Sequence, residues 1–407
     1  MSTPLFHSLG NGLRILFLPS ASPIAYAGIA INAGTRDESP AQPGMAHFIE
    51  HLLFKGTQKR RAWHILNRME AVGGELNAYT NKEETMVHTA FPAAHLERAV
   101  ELLADLVLHS TFPTQEVEKE IEVIIDEIQS YEDSPSELIF DDFEELLFPN
   151  HPLGHNILGK ADVLKTFTSA DAHAFVRRLY RAPSMVFFLS GNYNFKQVVR
   201  LVERYLSEAP ATASPTVRIR PDNYVPFRQT MERGTHQTHL ILGNRGYDSD
   251  DERRTALYLL NNLLGGPGMN SRLNVALREK RGLVYNVESS LFSYTDTGAW
   301  SIYFGTDRHD VDKCLRLTHA ELHALRTHRL SPTRLHAAKK QLIGQMAVAA
   351  DNRESYLLGL AKTLLHYNRC ESPEDVFARI EAIDASLLLD VANDIFDENR
   401  LSLLTYR

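Results

Sequence analysis

The order of apolar and polar positions along the chain predicts both strands and amphipathic helices. Residues 5–18 show a strand pattern broken at Asn11-Gly12, which indicates a hairpin, and residues 25–32 and 75–91 are predicted as further strands. Apolar residues spaced three or four apart predict helices instead. In the first half of the chain these helices are predicted around His47 and over residues 62–72, 94–109, 114–132, 136–148 and 195–206.

The pattern starts again in the second half. Residues 208–226 contain four prolines and many small polar residues, and they are predicted to form a linker. Strands are predicted after it over residues 239–243, 299–305 and 401–406, and helices over residues 253–264, 310–327 and 332–350. Two halves with a shared order of elements predict a duplicated α+β fold, with one domain over 1–207 and a second of similar fold over 227–407.

The helix around His47 carries the candidate chemistry. His47 and His51 are four residues apart and Glu50 lies between them, so all three side chains point to nearly the same side of a helix. Neutral imidazoles are good zinc ligands, and H-x-x-E-H is a known order for a zinc-dependent peptidase helix. Residues 256–264, the corresponding helix of the second half, contain no His or Glu. Any metal site is therefore expected in the first half.

Composition narrows the class of protein. The 407 residues carry 43 basic and 51 acidic side chains, and the net charge of −8 argues against nucleic acid as the main partner. The two cysteines, Cys314 and Cys370, form no disulfide framework and no thiolate metal site. Because no apolar run is long enough to span a membrane and the N-terminus has no basic leader, a cytoplasmic location is expected, with the periplasm as the alternative.

The whole chain resembles the pitrilysin/insulinase family of zinc metallopeptidases, in particular its short members related to mitochondrial processing peptidases. The likeness is densest in four segments, residues 44–57, 76–80, 119–128 and 277–285. It implies that each half is a mainly antiparallel sheet with helices packed on one face, the two halves forming half of a clamshell. It also implies a zinc endopeptidase with one Zn²⁺ per chain.

The same resemblance assigns residues that local spacing leaves open. A helix-borne Glu some distance after the second His completes the family's zinc site, and Glu127 matches, 76 residues after His51. Glu120 matches the family's second acidic residue, which supports the site without binding zinc. Glu50 matches the general base that takes a proton from water.

Substrate contacts also follow from the resemblance. Asn77 and Ala78 match the family's strand that binds a peptide as an additional strand, which is recognition through backbone hydrogen bonds. Arg278 and Tyr285 match an Arg and a Tyr of the second domain that contact the substrate backbone and the reacting carbonyl. Tyr285 is therefore expected to help stabilise the oxyanion.

A homodimer is expected, because short members of the family pair and this chain carries both the zinc residues and the Arg–Tyr pair. Its enclosed chamber would admit unfolded peptides or presequence-like segments, and neither nucleic acid nor membrane is an expected partner. A non-catalytic scaffold or a peptide-binding subunit of a larger complex is the alternative. The pair His236/His239 is interpreted as structural, and His151 and His155 are interpreted as surface or substrate-channel residues.

Overall fold

The computed structural model describes residues 3–214, 217–222 and 224–407. The predicted linker therefore includes three residues, Pro215, Thr216 and Asn223, that lie outside the described part of the chain. Among the described residues, no helix is long and apolar enough to cross a membrane.

In the first part of the chain, the described residues form six strands and eight α-helices. The strands are β1 Leu5–Ser8, β2 Arg14–Pro19, β3 Ile24–Ile31, β4 Glu75–Thr80, β5 Thr85–Pro92 and β6 Met185–Gly191. The helices are α1 Met45–Leu53, α2 Ala62–Glu70, α3 Leu96–His109, α4 Thr114–Glu132, α5 Pro135–Leu147, α6 Ala161–Leu164, α7 Ser169–Leu179 and α8 Phe195–Leu206.

After residue 207, the part of the chain that the structure describes contains five strands, six α-helices and a π-helix over Asn274–Glu279. The strands are β7 Arg228–Met231, β8 Thr238–Gly246, β9 Val284–Ser293, β10 Gly298–Thr306 and β11 Ser402–Tyr406. The helices are α9 Arg254–Gly265, α10 Val311–Thr327, α11 Pro332–Ala349, α12 Arg353–Tyr367, α13 Pro373–Ala382 and α14 Ala385–Ile395.

The two sheets share one strand order, which confirms the predicted duplicated α+β fold. The first sheet runs β1-β2-β6-β3-β5-β4 and the second runs β7-β11-β8-β10-β9. In each sheet one pair is parallel, β2 with β6 and β7 with β11, and the other neighbours are antiparallel. The second sheet therefore repeats the first without its β1 strand.

The single strand predicted over residues 75–91 is wrong. β4 and β5 are two antiparallel strands, paired from Glu75↔Ala90 to Thr80↔Thr85. The turn between them is polar, and the Asn81 amide donates to the Glu84 carboxylate at 2.9 Å. Four successive polar residues, of which the first and last contact each other, favour a reversal of the chain over a continued strand.

Neither compact unit is continuous in sequence. The first comprises residues 1–129, 155–218 and 352–370, and the second comprises residues 130–154, 219–351 and 371–407. The chain passes from the first unit to the second at residues 218–219, within the predicted linker. Each unit also includes one helix from the other half of the sequence, α12 in the first unit and α5 in the second.

These two helices explain why the central strands are apolar on both sides. Side chains alternate between the faces of a strand, so Ile15 and Phe17 join one core of the first sheet while Leu16 and Leu18 join another. The second core is closed by α12. α5 packs in the same way on strands β8, β10 and β11 of the second sheet. Each sheet thus carries a helix on the face opposite its main helical layer, in addition to the helices predicted on one face.

Candidate metal centre

Helix α1, which carries His47, Glu50 and His51, is fixed at its first turn by Glu38. The two carboxylate oxygens of Glu38 accept hydrogen bonds from the backbone N–H groups of Gly44 and Ala46, both at 2.9 Å. A carboxylate at this position satisfies N–H groups that have no partner within the helix. Burial raises the pKa of Glu38 to about 8, against the opposing effect of these two hydrogen bonds.

The His47 and His51 rings lie side by side on α1, with their centroids 4.7 Å apart. His47 is buried, and its Nδ1 atom has no hydrogen-bond partner among the described residues. Burial, and then the neighbouring His51, lower the pKa of His47 to about 4. His47 is therefore a neutral imidazole at physiological pH, the form that binds a metal ion.

Glu127 approaches both rings from α4. Its Oε2 atom lies 4.0 Å from Nε2 of His47 and 3.6 Å from Nε2 of His51. One donor atom from each of these three residues lies within 4.8 Å of the others. Two imidazole nitrogens and one carboxylate oxygen are a donor set typical of a catalytic zinc site, so the residues present fit that ion. The Glu127 side chain is 44% exposed, which leaves the group open on one side.

Glu120 lies on α4 two helical turns before Glu127 and supports this group of residues. Its Oε2 lies 3.1 Å from His51 Nδ1, and its Oε1 lies 2.6 Å from the Lys55 ammonium. Burial alone would raise the pKa of Glu120, but the hydrogen bonds and charges of His51 and Lys55 outweigh it and lower the pKa. A carboxylate on Nδ1 leaves Nε2 of His51 facing Glu127 with its lone pair available.

Glu50 lies on α1 between the two His residues. Its Oε2 atom is buried and has no hydrogen-bond partner among the described residues. Burial raises the pKa of Glu50, and the Glu127 charge adds to this, while Thr80 and His51 oppose it. A half-buried carboxylate with a raised pKa beside a metal-type donor set is suited to accept and return a proton.

The contact with Thr80 places Glu50 beside the end of β4, the strand that carries Asn77 and Ala78. β4 lies at the edge of the first sheet, with Asn77 opposite His88 and Ala78 opposite Val87 of β5. An edge strand presents backbone N–H and C=O groups to which a peptide can add. Asn77 and Ala78, which are predicted to bind substrate, therefore lie on an edge strand.

Arg278 and Tyr285 belong to the second compact unit and lie together there. The Arg278 guanidinium is 5.8 Å from the centroid of the Tyr285 ring, and Tyr285 is 83% exposed on β9. β9 is the edge strand of its own sheet. Both side chains are thus available to a ligand of the second unit.

The remaining predicted His pairs have structural contacts. His239 Nδ1 lies 2.8 Å from the Tyr303 hydroxyl, and His151 Nε2 lies 2.9 Å from the backbone oxygen of Ile219. The sequence interpretation did not find Glu38 and Lys55. Lys55 could have been suspected because it follows His51 by four residues, whereas Glu38 had no local signal.

Comparisons with known proteins match nearly the whole chain. Residues 16–161 match the family model described as insulinase (peptidase family M16), and residues 166–342 match the model described as peptidase M16 inactive domain. A Streptomyces coelicolor protein named as an uncharacterized zinc protease is 33% identical over 399 residues, covering 95% of this chain and 86% of that protein. A Bacillus subtilis protein named in the same way is 30% identical over 391 residues, covering 96% and 95%.

Solved structures show the same fold. The peptidase M16 inactive domain from Pseudomonas fluorescens aligns with a TM-score of 0.91 at 22% identity, covering 99% of this chain and 98% of that one. A protease from Helicobacter pylori aligns with a TM-score of 0.92 at 21% identity over the full length of both chains. The sequence matches extend over nearly all of the chain, and the helix with His47, Glu50 and His51 falls within the matched insulinase segment. The chain belongs to the insulinase family of peptidases, family M16.

Proposed function

We propose that this protein is a zinc-dependent endopeptidase that hydrolyses unfolded peptides. The observation that carries the proposal is the convergence of His47, His51 and Glu127 next to the Glu50 carboxylate, whose Oε2 atom is buried. Relatives named zinc proteases support the choice of zinc and of peptide hydrolysis. A scaffold without catalytic function would have no physical reason to bring two imidazoles and the Glu127 carboxylate together beside a second carboxylate.

His47, His51 and Glu127 would hold one zinc ion in each chain. When bound, zinc supplies a Lewis acid that polarises the scissile carbonyl and lowers the pKa of the attacking water. Glu50 accepts the proton of that water and returns it to the leaving amine nitrogen. Glu120 keeps His51 oriented through its Nδ1 atom.

The substrate is an extended peptide that adds to the edge of β4 at Asn77 and Ala78. Because Thr80 of the same strand contacts Glu50, a peptide bound along β4 passes close to the general base. Backbone pairing of this kind requires an unfolded segment and reads little of its sequence. Presequence-like segments meet that requirement, whereas folded domains do not.

A homodimer is part of the proposal. Tyr285 of the partner subunit would donate to the oxyanion and Arg278 of the partner subunit would hold the substrate backbone. The test mixes two inactive variants, Glu50→Gln and Arg278→Ala/Tyr285→Phe, and allows subunits to exchange. Recovery of activity on mixing supports sites completed by the partner subunit, and no recovery in a verified heterodimer contradicts them.

The main experiment compares wild type with Glu50→Gln, with Glu70→Gln on the exposed side of α2 as the matched control. Zinc content and cleavage of a long, quenched-fluorescence unfolded peptide are measured for each protein. We expect wild type and Glu70→Gln to bind zinc and cut, and Glu50→Gln to bind zinc but lose activity by about 10²–10⁴-fold. Zinc binding without cleavage by wild type would favour a peptide-binding subunit, and absence of zinc would favour a scaffold.

A further inference from the structure

Lys55 lies just beyond the end of α1, in a segment whose backbone is held on both sides. Its N–H donates to the Leu52 carbonyl at 3.1 Å, and the carbonyl of the next residue, Gly56, accepts from the Thr111 N–H at 3.0 Å. The Lys55 backbone therefore has little freedom, unlike that of a lysine in an open surface loop.

The residues that follow are anchored to α3. The Thr57 hydroxyl donates to Asp105 at 2.7 Å and accepts from the N–H groups of Lys59 and Arg60. The Arg60 guanidinium bridges Asp105 and Glu101 of α3. This network fixes the position from which the Lys55 side chain starts.

The Lys55 side chain reaches back to the metal centre through Glu120. One oxygen of the Glu120 carboxylate lies 2.6 Å from the ammonium of Lys55, and the other lies 3.1 Å from Nδ1 of His51. The Glu120 side chain is 5% exposed and the Lys55 side chain is 29% exposed. A single buried carboxylate thus connects a proposed metal ligand to a lysine whose own backbone is fixed.

We propose that Lys55 is a positioning residue of the metal centre, which holds the Glu120 carboxylate in the orientation that directs Nε2 of His51 to the metal ion. This inference rests on the proposed zinc site. Without the ammonium, one oxygen of Glu120 would be buried without a partner, which is unfavourable, and the carboxylate would turn towards another donor or towards water. His51 would then lose the hydrogen bond that sets its ring orientation.

The direction of the change in zinc affinity distinguishes a positioning role of Lys55 from a purely electrostatic role. Lys55 is a cation near a cation site, so removal of its charge would strengthen zinc binding if electrostatic repulsion were its main effect. Positioning through Glu120 predicts the opposite, because loss of such an outer partner typically weakens metal affinity by about 10–100-fold. A role limited to overall stability predicts no change in the affinity of the folded protein.

The experiment measures the zinc dissociation constant of the full chain by competition with a chelator, for wild type, Lys55→Met, Lys55→Gln and Lys55→Arg. The matched control is Lys59→Met, which makes the same charge change at an exposed lysine of the same segment. We expect about tenfold weaker binding in Lys55→Met, a smaller loss in Lys55→Gln, whose amide still donates, and near-complete recovery in Lys55→Arg. Lys59→Met should bind as wild type does.

A double variant completes the test. In a Glu120→Gln background the ion pair is already gone, so the added Lys55→Met change should weaken zinc binding no further. Unfolding of the zinc-free proteins shows which variants are folded, and Lys55→Gln and Lys55→Arg keep the test valid should Lys55→Met fail to fold. Zinc binding by Lys55→Met as tight as wild type, or tighter, would overturn the inference alone. Absence of zinc binding in folded wild type would overturn the proposed function as well.

Discussion

Helices α1 and α9 occupy the same place in the two duplicated units, each following the equivalent strand, β3 or β8, and packing near the edge strand, β4 or β9. They also keep the same spacing of polar positions. α1 has His47, Glu50 and His51, and α9 has Tyr258, Asn261 and Asn262, three and four residues apart in both cases. The two helices therefore carry polar side chains at the same spacing but with different chemistry.

The two faces differ in whether their polar groups are satisfied. On α9, the Asn261 amide donates to the Ser289 carbonyl at 2.9 Å and accepts from the Ser289 hydroxyl at 2.5 Å, both on β9. On α1, Nδ1 of His47 and Oε2 of Glu50 are buried without partners among the described residues. Because folded proteins normally pair such groups, the unpaired Glu50 oxygen beside the His47, His51 and Glu127 donors is expected to serve a ligand, whereas the paired Asn261 is expected to serve stability.

The largest expected effect comes from exchanging ligand chemistry between the two helices. His51→Asn gives α1 the residue found at the equivalent position of α9, and an amide does not replace an imidazole as a zinc ligand. Bound zinc, measured by atomic absorption after dialysis, should fall from about one ion per chain to near zero, and peptidase activity should disappear. The reverse change, Asn262→His, should leave zinc content unchanged, and full zinc content in His51→Asn would exclude this donor set.

A second contrast concerns the helices that cover the outer faces of the sheets. α12 is held on the first sheet by Glu84, whose carboxylate contacts Lys362 at 2.7 Å and His366 at 3.0 Å. Burial alone would raise the pKa of Glu84, but the hydrogen bonds and charges of these two residues lower it to about 2. On the second sheet, the corresponding polar contact of α5 is the Tyr406 hydroxyl donating to Asp142.

Since the folded-state pKa of Glu84 is below its unfolded value of 4.5, its contribution to stability is present above pH 4.5 and is lost as pH falls towards 2. The full contribution is about 3 kcal/mol, of which about 2 kcal/mol is lost between pH 7 and pH 3. Urea unfolding of the zinc-free protein at both pH values should show this loss. Glu84→Gln should be less stable at pH 7 and lose correspondingly less on acidification, and equal pH dependence in the two proteins would contradict the assignment.

Sequence patterns predicted some residues of the candidate site but not others. The His47–His51 pair was predicted because a helix brings residues four apart together, a rule that needs no knowledge of the fold. Glu127 lies on a separate helix, and only the family resemblance pointed to it. The structure then placed its carboxylate beside both rings.

Local sequence patterns could not predict that α5 belongs to the second compact unit and α12 to the first. An amphipathic pattern shows that a helix buries one face, but it does not specify which sheet receives that face. The same limit applies to Glu38, whose contact with the first turn of α1 depends on the path of an irregular loop. Local periodicity therefore predicted most of the elements and part of the site, whereas contacts between distant segments required the structure.

A smaller effect is expected from breaking the satisfied face of α9. Asn261→Ala would leave the Ser289 carbonyl without its side-chain donor and the Ser289 hydroxyl, which also accepts from Trp300, without its acceptor. Such a loss costs about 1–3 kcal/mol of unfolding free energy. Glu50→Gln on α1 should instead leave the zinc-free protein equally stable or more stable, because it removes a buried charge. Urea unfolding of both variants measures the difference, and equal destabilisation would remove the distinction between the two faces.

The smallest effect concerns how the two helices begin. The Glu38 carboxylate accepts hydrogen bonds from two backbone N–H groups at the start of α1, whereas the Asp251 carboxylate accepts from one, that of Arg253, at the start of α9. Glu38→Gln keeps one acceptor oxygen and loses the other, so we expect a loss of about 1 kcal/mol in the unfolding free energy of the zinc-free protein. If Glu38 also sets the position of α1, the zinc affinity of Glu38→Gln should fall a few-fold, while the zinc affinity of Glu70→Gln stays unchanged. If Glu38→Gln is less stable but binds zinc with unchanged affinity, Glu38 acts only as a stabilising cap. The position of α1 is then set by packing alone.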